Sequence, residues 1–264
     1  MLTPVAPVRP PAAYLGGKRN LSKRLVDLIG ATPHDLYAEP FVGMGGVFFR
    51  RDRRPKVEVV NDVSADVANL FRILQRHYQA FLDFLKWQVT SRAEFERLQK
   101  TDPATLTDLE RAGRFLYLQR TAFGGKIVGQ NFGISRTSAA RFDLTKLVPI
   151  LEAAHERLAS VVIEQLPYAD LIRRYDRPGA LFYLDPPYVG CEGDYGAGVF
   201  GPADFDRIAA ILGGLKGRFI LSINDHPIAR AAFSAFAIDE VGVTYRVSGE
   251  PTAARELIIT GPGN

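Results

Sequence analysis

The chain holds a single cysteine, Cys191, among 264 residues. A lone cysteine closes no intrachain disulfide, which excludes the disulfide-scaffold class and points to a reducing, cytoplasmic setting. The four histidines, His34, His77, His155 and His226, are scattered without ligand spacing, so no metal site is expected. Long apolar runs are missing too. The proline-rich lead MLTPVAPVRPPAAYLGG reads as neither a signal peptide nor a membrane anchor. Charge is nearly balanced, with 33 Lys and Arg against 29 Asp and Glu and a net charge of +4. This permits an anionic partner without demanding one. Five basic residues gather in residues 50–56, RRDRRPK, either as a solvated face or as a source of phosphate attraction. Hydrophobic residues at 47% and charged residues at 23% are the balance of an ordinary globular protein, so disordered and collagenous classes are out.

Four prolines deny the first thirteen residues a helix. Helical spacing of Leu21, Leu25, Val26, Leu28 and Ile29 predicts a helix over 19–29. Leu36–Phe41 reads as a strand running into the glycine turn Gly43, Gly45, Gly46, and Val57–Val60 as a second strand ending at Asn61-Asp62. Residues 63–160 change to helical periods, interrupted by Thr121–Arg141, TAFGGKIVGQNFGISRTSAAR, which reads as an ordered hairpin or loop. From about 161 strands and helices alternate again, with strands at Val161–Ile163, Leu181–Leu184 and Phe219–Ile223 and closing strands at Ile238–Val247 and Glu256–Thr260. The alternation predicts an α/β sheet with helices on both faces, formed by residues 1–65 and 161–264, and a mainly helical insertion over 66–160.

Three constellations carry chemistry. Glu39-Pro-Phe-Val-Gly43-Met-Gly45-Gly46 sets an acid before a glycine turn, where a ligand approaches the backbone and its cationic group meets the carboxylate. It lacks the third glycine of a dinucleotide fingerprint. Asp62, about twenty residues on, stands where α/β folds place a ribose-hydroxyl acceptor; Asp62 or Ser64 is also placed to cap the next helix. The third is Leu184-Asp185-Pro186-Pro187-Tyr188. Two prolines end the strand and leave the Pro186 carbonyl free. A carboxylate, a carbonyl and an aromatic face then stand together at the carboxyl edge of the sheet, a set suited to a planar base with an exocyclic amine.

These motifs resemble the Dam-like, alpha-class N6-adenine DNA methyltransferases. Tyr14-Leu-Gly-Gly-Lys18 is similar to that family's N-terminal W-A-G-G-K element, with Tyr for Trp. Glu39–Gly46 resembles its E-P-F-x-G-x-G motif, Asn61-Asp62 its second acidic motif, Leu116–Gly133 its central recognition region, and Asp185–Tyr188 its catalytic D-P-P-Y, all in the alpha-class order. The resemblance implies a Rossmann-like S-adenosylmethionine-dependent methyltransferase sheet with an inserted helical DNA-recognition subdomain. It implies cofactor contacts from Tyr14, Lys18, Glu39, Phe41, Gly43, Asp62 and Asp185, and catalysis by Asp185, Pro186, Pro187 and Tyr188 on an adenine flipped out of double-stranded DNA. Arg120, Lys126, Asn131, Arg136 and Arg141 are the candidate DNA contacts, to phosphates or base edges, with a solvated basic loop as the alternative.

The expected function is site-specific methylation of adenine N6 in DNA, in a bacterial cell or encoded by a phage, with a restriction partner as one setting. The amine logic also serves N4 of cytosine, although such enzymes more often carry Ser in place of Asp185. A catalytically inactive DNA-binding relative is the non-enzyme alternative. Neither a metal nor a covalent nucleophile is expected; Cys191 lies outside any Pro-Cys element. A monomer is compatible with the sequence, which does not specify the oligomeric state.

Overall fold

The computed structural model describes residues 1–14, 18, 20–133, 139–195, 198–247 and 250–261. In chain order its elements are β1 (Thr3–Pro4), α1 (Ser22–Ala31), β2 (Leu36–Glu39), β3 (Arg53–Arg54), β4 (Val57–Asn61), α2 (Ala65–Arg76), α3 (Tyr78–Leu85), α4 (Arg92–Lys100), α5 (Asp108–Thr121), α6 (Leu144–Leu158), β5 (Val162–Glu164), α7 (Tyr168–Tyr175), β6 (Ala180–Leu184), α8 (Ala203–Gly213), β7 (Arg218–Asn224), α9 (Pro227–Ala232), β8 (Ala237–Val247) and β9 (Glu250–Gly261). Seven strands form one sheet in the order β5-β4-β2-β6-β7-β9-β8. The first five run parallel, and the β8–β9 hairpin joins antiparallel to β7.

Burial on both faces explains the short, nearly continuous apolar strands. Side chains alternate between two cores, as the period of two requires. Tyr37, Val60, Leu181, Tyr183, Ile220 and Ile258 enter the core shared with α1–α6. Leu36, Ala38, Val59, Phe182, Leu221 and Ile259 enter the core under α7, α8 and α9. The helical stretch 65–158 is thus continuous with one sheet face: Leu70 and Phe71 of α2 and Leu151 and Leu158 of α6 share the cluster that holds Val60 and Tyr37. Three helices of this stretch start on local signals, α6 on Asp143, whose side chain accepts from the Thr145 amide. Ser91 accepts from the Glu94 amide, and Thr107 and Glu110 form a reciprocal capping box.

Several boundaries differ from those the sequence predicts. The first strand stops at Glu39, before Pro40, and α1 begins at Ser22, where the Lys18 carbonyl accepts from the Leu21 and Ser22 amides. The basic run is not one surface. Arg51 is buried at 2% exposure, pairs with Glu58 at 2.7 Å and stacks on Tyr37, while Arg53 and Arg54 pair with Thr3–Pro4 as a two-stranded ribbon. Neither a solvated face nor phosphate attraction describes Arg51, because Glu58 and a tyrosine ring hold it in the interior. β9 begins at Glu250, before the apolar residues that mark its end, because the β8 ladder recruits Pro251–Ala254 despite the low strand propensity of Pro251, Ala253 and Ala254.

Candidate active site

The chain steps outward from β2 to β4 and β5, then returns to the other side of β2 as β6 and β7. Such a reversal opens a crevice at the carboxyl ends of the central strands, where open α/β sheets bind ligands. Glu39 ends β2, Asp62 follows β4 and Asp185 follows β6. All three line one cavity of about 780 Å³, together with Tyr14, Lys18, Phe41, Gly43 and Pro187. The structure thereby gathers every residue expected at the cofactor site into one place.

Glu39 is buried, and Tyr37 donates to its Oε1 at 2.5 Å. Burial pushes its carboxyl up to about 8, against the opposing pull of that hydrogen bond and of Arg51. Among the described residues no basic side chain lies within ion-pair distance of it. The Glu39 carboxylate therefore suits a ligand bearing an ammonium group.

Asp62 does more than either sequence reading assigns it. Its Oδ2 accepts from the Gly43 amide at 2.9 Å and its Oδ1 from the Ser64 amide at 2.9 Å. It ties the glycine turn to the start of α2, while Ser64 occupies the N-cap position without a side-chain cap. Burial raises its carboxyl to about 6. Both oxygens retain lone pairs for hydroxyl donors. Gly43 has φ +50°, and a Cβ there would meet the Tyr14 ring at 2.8 Å, so the tyrosine lies directly over the turn.

Lys18 is buried, with Nζ 2.6 Å from Asp185 Oδ1; it also donates to the Tyr188 hydroxyl and sits 4.2 Å from that ring's centroid. Burial raises the Asp185 carboxyl to about 6 despite the lowering effect of Lys18. Burial first, then the charges of Asp185 and Glu256, holds the Tyr188 phenol well above its ordinary range. Ser222 of β7 donates to Asp185 Oδ1 at 3.4 Å and meets the Tyr183 hydroxyl at 2.8 Å. Pro186 and Pro187 are buried, and Tyr188 is half-buried.

The Gly-rich segment closes as a small hairpin. Phe123 N donates to Asn131 O at 2.9 Å and Gly133 N to Thr121 O at 2.8 Å, with a bridge between Ala122 and Phe132. Ile127 lines the cavity, and Gly125 packs so closely on Ala13 and Tyr14 that a Cβ would stand 3.1 Å from their backbone. Lys126 and Asn131 are exposed on this hairpin. Arg120 is not: its guanidinium donates to Pro11 O at 2.9 Å and to Arg141 O at 3.3 and 3.2 Å, tying the hairpin's base to the lead. Arg141 donates to Ala122 O at 3.1 Å. Arg136 lies outside the described residues.

The model of the D12 class N6 adenine-specific DNA methyltransferases matches residues 14–247. The chain belongs to this family. Two relatives span nearly its full length. The type II methyltransferase M.CviBI of Paramecium bursaria Chlorella virus NC1A is 25% identical over 90% of this chain and 92% of its own. The type II methyltransferase M1.LlaDCHI of Lactococcus lactis subsp. cremoris is 25% identical over 97% and 96%. Among solved structures, a precorrin 8W decarboxylase from Methanobacterium thermoautotrophicum aligns over 92% of this chain and 89% of its own, at 9% identity and a TM-score of 0.41.

As a D12 class enzyme the protein methylates adenine N6 in DNA, using a methyl donor. This decides between adenine and the N4-cytosine alternative that the sequence left open. Among the described residues, no three His, Cys, Asp or Glu side chains form a group able to hold a metal ion, and no helix is long and apolar enough to cross a membrane.

The methyltransferase cleft also contains residues that sequence reasoning missed. Tyr168 and Phe200 flank Phe41, with ring centroids 5.3 and 6.2 Å from it, and Tyr168 donates to Asp204 Oδ1 at 2.7 Å. Asn61 precedes Asp62 at the end of β4. Its amide bonds Pro40 O at 2.9 Å and both Leu166 O and Leu166 N, at 3.0 and 2.8 Å, stitching three strand ends together. Asn224 binds Val189 N and O, at 3.0 and 3.1 Å, and so fixes the chain just after Tyr188. The available signal was positional for Tyr168, Asn61 and Asn224, each within a few residues of a strand's carboxyl end; Phe200 lies in the loop before α8 and carried no such signal.

Proposed function

We propose that the cleft binds S-adenosylmethionine beside a flipped-out adenine and methylates a short site in double-stranded DNA. The observation that carries this reading is the convergence of Glu39, Asp62 and Asp185 from three strand ends on one cavity of about 780 Å³. The donor set fits the cofactor: a buried carboxyl with no cation within ion-pair distance among the described residues, a second acid braced by backbone amides, and an aromatic group of Phe41, Tyr168 and Phe200. Glu39 would hold the methionine ammonium, Asp62 the ribose hydroxyls, and the three rings the adenine base, with Tyr14, Lys18 and Gly43 walling the cleft. S-adenosylmethionine, when bound, supplies an electrophilic sulfonium methyl group.

The chain's residues do the rest by alignment and electrostatics. An adenine amine is a weak nucleophile because its lone pair is delocalised into the ring. Asp185 and the Pro186 carbonyl would accept its two hydrogens, favouring a more tetrahedral nitrogen with its lone pair directed at the methyl group. Tyr188 would stack on the ring of a base withdrawn from the duplex. Pro187 helps fix the backbone that aims these groups.

Residues 1–65 and 161–264 are proposed as the catalytic unit and 66–160 as the target-recognition unit. The hairpin's Lys126 and Asn131 face outward beside the cavity mouth, suited to a groove or phosphates, and Arg136 is proposed to join them. The type II relatives make a sequence-specific modification role the natural setting. Binding of labelled S-adenosylmethionine tests the cofactor assignment. Parent protein should bind it, and Glu39→Gln and Asp62→Ala should each bind it about ten- to a hundredfold more weakly, the scale of a lost charge-assisted hydrogen bond. Equal affinity in all three proteins would overturn it.

A further inference from the structure

Glu256 stands on β9, opposite Asn224 of β7 and Val241 of β8. An antiparallel strand thereby delivers a carboxylate to the edge where the parallel strands deliver theirs. The residue is 1% exposed. Its Oε2 lies 3.9 Å from the Lys18 Nζ, on an ammonium already in contact with Asp185 at 2.6 Å. Its charge also helps hold the Tyr188 phenol above its ordinary range. The Tyr188 hydroxyl accepts from the same Lys18 ammonium. One buried acid therefore stands against the cation that contacts both the catalytic carboxylate and the Tyr188 hydroxyl.

We propose that Glu256 is a positioning residue for methyl transfer, acting through Lys18 and Tyr188. The inference rests on the reading that Asp185 and Tyr188 receive the target adenine. Lys18 is shared between two carboxylates, so Asp185 keeps accepting capacity for the adenine amine. Without the Glu256 charge the ammonium has one carboxylate left, the one the amine needs. An ammonium drawn toward Asp185 also loosens its hydrogen bond to the Tyr188 hydroxyl, and with it the restraint on the plane of the stacking ring. A buried polar network of this kind specifies geometry only while every member is satisfied.

The test compares Glu256→Gln, Glu256→Asp and Tyr188→Phe with the parent, on plasmid DNA that the parent methylates. Glu256→Gln should lower kcat by about ten- to a hundredfold, the scale of a small misplacement in the reacting geometry. Its affinity for S-adenosylmethionine should stay within about twofold of the parent's, because Glu256 acts on the catalytic side. Glu256→Asp should recover part of the loss. In a Tyr188→Phe background the same Gln substitution should cost much less, since the hydroxyl through which Lys18 restrains the ring is gone. Unchanged kcat, an equal loss in both backgrounds, or cofactor affinity falling in step with kcat would overturn the proposal. Asp185→Ala, measured alongside, separates the two claims. Near-normal turnover there overturns the placement of the amine and this inference with it. An inactive Asp185→Ala beside a fully active Glu256→Gln overturns the inference alone.

Discussion

Glu39 is the side chain whose ionisation depends most on the contents of the cleft. In the empty protein its carboxyl sits at about 8, so it is mostly protonated at neutral pH. A bound ammonium lowers that value, and binding then releases a proton. Affinity for S-adenosylmethionine should therefore rise with pH up to about 8 and level off above it, by at most ~10-fold per pH unit for one proton. The fold responds in the opposite sense. Glu39, Asp62 and Asp185 are all held above their ordinary values by burial. Their contribution to stability is full below the ordinary carboxylate range. It is lost as pH rises through about 6 for the two aspartates and about 8 for Glu39. Melting of the empty protein from acid to mildly alkaline pH should show this decline, and added S-adenosylmethionine should raise Tm most at the alkaline end. A cofactor-induced shift independent of pH would contradict the assignment of Glu39. The acids themselves were legible in the sequence, because each follows an apolar strand. Their elevated protonation was not, because it arises from burial by residues distant in the chain.

At the scale of elements, strand and helix positions followed from periodicity, whereas the partners of charged side chains did not. RRDRRPK illustrates the difference. Arg51 enters the interior because Glu58, on the neighbouring strand β4, and Arg157, near the end of α6, meet there: Arg157 reaches both Glu58 oxygens at 2.7 and 2.6 Å and stacks on Phe48. No local pattern announces a partner about a hundred residues away. Glu58→Gln removes the charge between two buried guanidiniums and should destabilise the protein by about 3–5 kcal/mol, measurable as a lower denaturation midpoint. The hairpin separates its residues in a similar way. Arg120 is engaged with Pro11 and Arg141 carbonyls, so Arg120→Ala should loosen the hairpin and lower stability. Asn131 is exposed, and Asn131→Ala should change the methylated sequence or lower activity with cofactor affinity retained. Mapping N6-methyladenine across a plasmid modified by each variant distinguishes them. An unchanged motif and rate for Asn131→Ala would move recognition elsewhere in the chain.

On the scale of the whole molecule, the topology accounts for the site's location. The order β5-β4-β2-β6-β7-β9-β8 places the reversal between β2 and β6, and Glu39 and Asp185 end those two strands. Strand–helix alternation in the sequence was sufficient to predict the sheet. The strand order came from pairing, and with it the neighbours Tyr168, Phe200, Asn224 and Glu256, which no motif marked. The reaction depends on this convergence, because the protein has to hold an amine and a methyl donor in line. The most direct measurement is nucleoside mass spectrometry of unmethylated DNA incubated with isotopically labelled S-adenosylmethionine and either the parent or Asp185→Ala. The parent should yield labelled N6-methyladenine, and the variant should fall by about two to four decades, roughly the scale of removing one transition-state hydrogen-bonding group. Label in cytosine, or near-normal N6-methyladenine from the variant, would contradict the account.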